Sequence, residues 1–174
     1  MRRNEFKRQT LNRKSSGSSI IEMVAVVVLL VPFILALIDC GMIVIGVAIN
    51  DSVCRDAARA AASGPPGDAT VGDNRSVGPG KKPHDRAIAV IKRIYDTKLP
   101  MKVRETIKAT ESVRVVPPPM VGGAIDGDVS VTTTIDVYPP FVVGAIVGPG
   151  GIPLESKHNV PFTYVVPNTT PDPS

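Results

Sequence analysis

Residues 18–62 read SSIIEMVAVVVLLVPFILALIDCGMIVIGVAINDSVCRDAARAAA, and this stretch decides the architecture. Within it only Pro32 lacks the amide proton a helix needs, Gly41 and Gly46 are weak points, and the last turns are nearly pure alanine. The reading is one helix of 45 residues, about 68 Å long at 1.5 Å per residue. Sixteen consecutive uncharged residues, Met23 to Ile38, follow Glu22, and low polarity continues to Ile49. A bilayer core takes about 20 helical residues, so the run over about 20–43 is long enough to cross it. The second half, with Asp51, Arg55, Asp56 and Arg59, is expected to emerge on the far side. Pro32 is expected to bend or locally melt the helix near Val28 to Val31. Asp39 is expected to be a boundary residue that reaches water.

Outward from this helix, the charge is unevenly distributed. Residues 1–17 hold six Lys or Arg against Glu5, a block of +5 in a chain whose net charge is +4, so everything after Gly17 carries −1. Cations gathered in a short leader do not form a basic folded face, which argues against nucleic-acid binding. They fit a cytoplasmic anchor under the positive-inside rule. An ordinary secretory signal fits poorly, because the apolar run is about twice the usual length and the small residues Ser15 to Ser19 precede it. Asp39 before Cys40 also spoils a lipoprotein pattern. Cys40 and Cys54 lie fourteen residues apart on one helix, about 21 Å, too far to bridge. They read as small packing residues, with an intermolecular disulfide as the alternative.

Beyond the helix, residues 63–82 are rich in Gly, Pro, Ser and Asp and read as a linker. Residues 83–174 read as a small extracytoplasmic domain. From His84 to Asp96, Ala87, Ile88, Ile91, Ile94 and Tyr95 recur at helical spacing, with Arg86, Lys92 and Arg93 elsewhere on the wheel. Three strands follow: Ser112 to Val116, stopped by Pro117-Pro118-Pro119; Asp128 to Tyr138; and Asn159 to Val166. The second alternates Val129, Val131, Thr133, Ile135 and Val137 against Ser130, Thr132, Thr134 and Asp136. Pro139 to Ser156 reads as a Gly- and Pro-rich excursion. The fold class is therefore α+β, a long N-terminal transmembrane helix followed by a short helix packed on a small antiparallel sheet.

Motifs for catalysis or cofactors fail one by one. His84 and His158 lack spaced acids or cysteines for a metal and read as surface or loop residues. Gly78-Pro79-Gly80-Lys81-Lys82 has neither the glycine spacing nor the hydroxyl residue of a phosphate loop. Asp126-Gly127-Asp128 has no further calcium ligands and reads as a turn before the strand. No Gly-x-Ser-x-Gly elbow occurs. The expectation is a protein with no active site and no cofactor.

Gly17 followed by Glu22, the apolar run with Pro32, Ile38-Asp39-x-Gly41 and Ala57-Ala58-Arg59-x-Ala61 together resemble the TadE/TadG-like minor pilins, pseudopilins of the Tad (Flp) branch of type IV pili. The likeness covers residues 13–62 and is architectural beyond. It implies cleavage by a prepilin peptidase between Gly17 and Ser18, which removes the +5 block and leaves Glu22 at mature position five. It implies that Glu22 meets the new amine at Ser18 of a neighbouring subunit, and that Pro32 has a part in assembly. The implied partners are the prepilin peptidase, other pilin-like subunits, Tad inner-membrane platform proteins and the lipid bilayer, with no nucleic acid. The implied location is the inner membrane, with the C-terminal domain outside the cytoplasm and the protein able to enter a surface pilus. Met23 departs from the tyrosine of major pilins, and the mature length of 157 residues exceeds theirs, so the chain does not read as a shaft subunit. Two other classes compete: an uncleaved signal-anchored scaffold or sensor, and a membrane-tethered enzyme.

Overall fold

In the computed structural model, which describes residues 16–95, 101–104, 107–118 and 121–168, α1 (Ser16–Ala62) is one unbroken helix of 47 residues. It stays helical through Val28 to Val31, so the local melting expected at Pro32 does not occur. A missing amide proton removes one intrahelical bond, and the bonds on either side hold the turn. The two halves of α1 differ. Through Ile34 every side chain described is exposed; from Leu35 onward one stripe turns inward, closing on Val53, Cys54, Ala57, Ala58 and Ala61 in the core. The expected membrane range of about 20–43 thus overlaps the stretch on which the domain is docked.

The sheet is antiparallel and is built around β4 (Gly123–Val137). Along one edge, β5 (Ile152–Val166) pairs with all of it in constant register, from Gly123 opposite Val166 to Val137 opposite Ile152. The other edge is shared. There β3 (Lys108–Val115) pairs with the first part of β4 and β2 (Met101–Val103) with its end, while β1 (Gly72–Val77) flanks β3. The alternation read in β4 holds: Val129, Val131, Thr133, Ile135 and Val137 are buried beneath the helices, and the intervening side chains lie on the open face. Pro153 and Pro161 sit in β5, an edge strand where a missing donor costs no ladder bond.

α2 (Lys82–Tyr95) lies beside α1, burying Ala87 and Ile91 in the same core. Arg86 is not on its free face. Its guanidinium donates to the carbonyls of Ala60, Ala61 and Pro65, supplying donors that the C-terminus of α1 lacks. His84 is 4 % exposed in the first turn of α2 and is not a surface histidine.

Two segments read as irregular carry structure. β1 lies inside the presumed linker 63–82, and a six-residue helix, α3 (Val142–Val147), lies inside the excursion. Asp126-Gly127-Asp128 is the interior of β4 and not a turn. A Cβ on Gly127 would come 2.3 Å from the Ser112 carbonyl oxygen and 2.8 Å from the Phe162 ring, so this glycine serves close packing within the sheet.

Candidate functional site

The region with functional chemistry runs along α1, from its uncovered start to the joint with the domain. Gly17 and Ser18, the residues flanking the expected cleavage, lie in the first turn of α1, and the basic stretch 1–15 lies outside the described residues. Glu22 falls in the second turn, exposed, and makes no hydrogen bond or ion pair among the described residues. Pro32 is exposed on the bare half, ten residues further on.

One helix in the described chain is long and apolar enough to cross a membrane, and its most apolar window buries nothing against the domain. Ile20, Ile21, Met23, Val28, Leu29 and Phe33 are each more than 60 % exposed, and together these apolar side chains ring the helix. A helix apolar all round needs an apolar surrounding.

At the joint, α1 inserts polar side chains into the domain. Asp39, expected at the water boundary, is fully buried. Its Oδ1 accepts the amide of Phe141 at 3.1 Å, and its Oδ2 accepts that of Val143 at 2.7 Å. Three turns later, Asn50 donates through Nδ2 to the carbonyl of Leu154 at 3.1 Å and accepts from the Thr133 hydroxyl at 2.8 Å. The Cys54 thiol lies 3.2 Å from the carbonyl oxygens of both Val131 and Ser156. Cys54 is the buried packing residue expected, and Cys40 is exposed. Buried polar groups demand matched partners, so these bonds fix the rotation and height of the helix on the sheet.

Two charged contacts flank this seam. Asp51 meets Nε2 of His158 at 2.8 Å, and that hydrogen bond, ahead of opposing desolvation, lowers its pKa below the ordinary 3.8. Glu111, 3 % exposed, accepts the Gly67 amide on Oε2 at 2.9 Å, while Oε1 is buried without a hydrogen bond. Burial raises its pKa above 4.5, and the Gly67 and Asp68 amides and the Arg86 charge offset only part of that. Among the described residues no three His, Cys, Asp or Glu side chains gather where they could hold a metal ion.

The motif residues thus fall into two groups. Ala57, Ala58, Ala61 and Asp39 all lie in the joint between helix and domain, while Arg59 stays outside in an ion pair with Asp56 at 3.8 Å. Glu22 and Pro32 remain on the uncovered half. Sequence reading missed Asn50, although Gly46, Asn50, Cys54, Ala57 and Ala61 recur every three to four residues, starting two turns after Asp39, a stripe of small and polar side chains among large apolar ones. Comparison of the chain with family models, with curated proteins and with solved structures finds no match.

Proposed function

We propose that the chain is a pilin-like structural or assembly component of a Tad/Flp-type pilus or its secretion machinery, cleaved after Gly17 by a prepilin peptidase. The observation that carries this reading is the division of one continuous helix. Its first half is bare, apolar and marked by a single exposed carboxylate at Glu22, and its second half is keyed into an α+β domain. A subunit made this way can leave the bilayer and exchange lipid for the matching helices of its neighbours without rearranging its domain. Cleavage serves that step, because a leader of +5 holds the helix in the membrane. The new amine at Ser18 and the Glu22 carboxylate of an adjacent subunit then neutralise each other in apolar surroundings. Pro32 leaves the Val28 carbonyl without its usual donor, a weak point at which the bare helix can adapt to neighbours. The work is structural, and no catalytic step is assigned to it.

The uncleaved signal-anchored scaffold gains from one observation. Gly17 and Ser18 are helical, and a protease needs its scissile backbone extended, so cutting here requires the first turn of α1 to unwind. Gly17→Leu separates the two readings: with the peptidase co-expressed, wild type should shift to a shorter band on an immunoblot and the variant should not. Equal mobility of both, with and without peptidase, supports the scaffold.

A further inference from the structure

We infer that the α3 excursion is a second membrane contact, an apolar wedge that lies against the acyl chains of the leaflet on the domain's side of the bilayer. This rests on the reading that α1 crosses the membrane.

Three observations meet here. The first is length. Counted from Ser19, where the candidate membrane span begins after the polar run Ser15 to Ser18, the stretch of α1 that stays clear of the domain ends at Ile34 and has sixteen residues, about 24 Å. A hydrocarbon core of roughly 30 Å exceeds this by about four residues. The helix must therefore continue in hydrocarbon through Leu35 to Ile38, where its outward side chains Leu37 and Ile38 are still exposed. Asp39, the next residue, is the one α3 covers.

The second is composition. From Val137 to Leu154 there are eighteen residues without a charge, bounded by Asp136 and Glu155. The helix at their centre buries none of its own side chains. Ile146 is 80 % exposed, with Val147 and Phe141 beside it at 43 % and 41 %. A segment whose only task was to screen a carboxylate from water would present a polar outer surface. This one presents an apolar surface, on an element that packs against α1.

The third is the chemistry beneath it. A carboxyl group at hydrocarbon depth is expensive unless its oxygens find donors. The amides of Phe141 and Val143 supply them, so the excursion must reach the depth of Asp39. At its base the Lys102 ammonium lies 5.7 Å from the centre of the Tyr138 ring, a pairing suited to the headgroup level, where tyrosine and lysine side chains collect.

The chain contains no tryptophan, so single Trp substitutions give clean reporters. Full-length Ile146→Trp, Val147→Trp, Leu29→Trp and Val165→Trp variants are reconstituted at high lipid-to-protein ratio into phosphatidylcholine vesicles with acyl chains brominated near the headgroup or near the tail end. Leu29→Trp should be quenched most by deep bromines and Val165→Trp by neither. Ile146→Trp and Val147→Trp should emit at blue-shifted wavelength and lose most of their intensity to shallow bromines. If Leu29→Trp is quenched while both α3 reporters keep their emission, the wedge is wrong and the membrane-spanning helix stands. Loss of quenching at all positions removes both. A blue shift at α3 that vanishes on dilution, without quenching, means that a second copy of the chain covers this face, and it overturns the lipid assignment.

Discussion

Asp39 has no exposed surface, and both its oxygens accept backbone amides from a segment about a hundred residues away. Asp39→Ala should leave two part-buried amide donors without their acceptor and cost about 1–3 kcal/mol each. Asp39→Asn, which keeps one acceptor, should cost about half as much. Hydrogen exchange at Phe141 and Val143 in the detergent-solubilised chain checks this; unchanged protection in Asp39→Ala would contradict the capping role. Glu22 is its counterpart on the bare half. Glu22→Ala should be processed normally and yield few assembled pili, and wild-type pili from that variant would remove the charge-pairing role. Two carboxylates titrate with opposite sign. The Asp51 pKa is lowered by His158, so its contribution is present above the ordinary 3.8 and is lost as pH falls through the folded value. The Glu111 pKa is raised by burial, so stability is greatest below 4.5 and declines as pH rises through its folded value. Glu111→Gln should therefore flatten the loss of stability between pH 4.5 and neutrality in urea titrations. An unchanged slope would mean that Glu111 is not the group responsible.

At the scale of elements, the seam between α1 and the sheet is tightest at Gly46. A Cβ there would lie 2.7 Å from Cγ2 of Val137, a side chain that is itself fully buried and cannot yield. Gly41, five residues earlier, has nothing within 4 Å of the same position. Gly46→Val should cost about 1–3 kcal/mol through overpacking, whereas Gly41→Ala should be neutral or gain up to about 1 kcal/mol from helix propensity. Thermal melts of the two variants compare them directly, and equal effects would contradict the close approach. The far end of α1 is held differently, by Arg86. Arg86→Ala should leave the Ala60, Ala61 and Pro65 carbonyls short of donors, at about 1–3 kcal/mol. Protease sensitivity of 63–71 should rise with it.

For the whole molecule, what was legible in the sequence was whatever its own periodicity enforces. β4 is buried on one face only, so its alternation is clean, and the helical spacing of Ala87, Ile88 and Ile91 found α2. β1 escaped because Gly72 to Val77 buries Val77 alone and is held to β3 by backbone pairing. α3 escaped because it buries none of its side chains and its anchor, Asp39, belongs to another element. Asp39 itself read as a boundary residue, since nothing local announces two amides arriving from so far along the chain. His84 read as exposed for the same reason: its burial is a property of how α2 packs, not of its neighbours in sequence. The α+β class, the long apolar helix and the small antiparallel domain were legible, and the joint that links them was not.

That joint makes the second half of α1 part of the domain, and the account stands or falls on what happens at the start of the same helix. The most direct measurement is the intact mass and N-terminal sequence of the protein extracted from its native membrane. The account predicts a chain that begins at Ser18. A chain that still begins with its arginine-rich leader would contradict it.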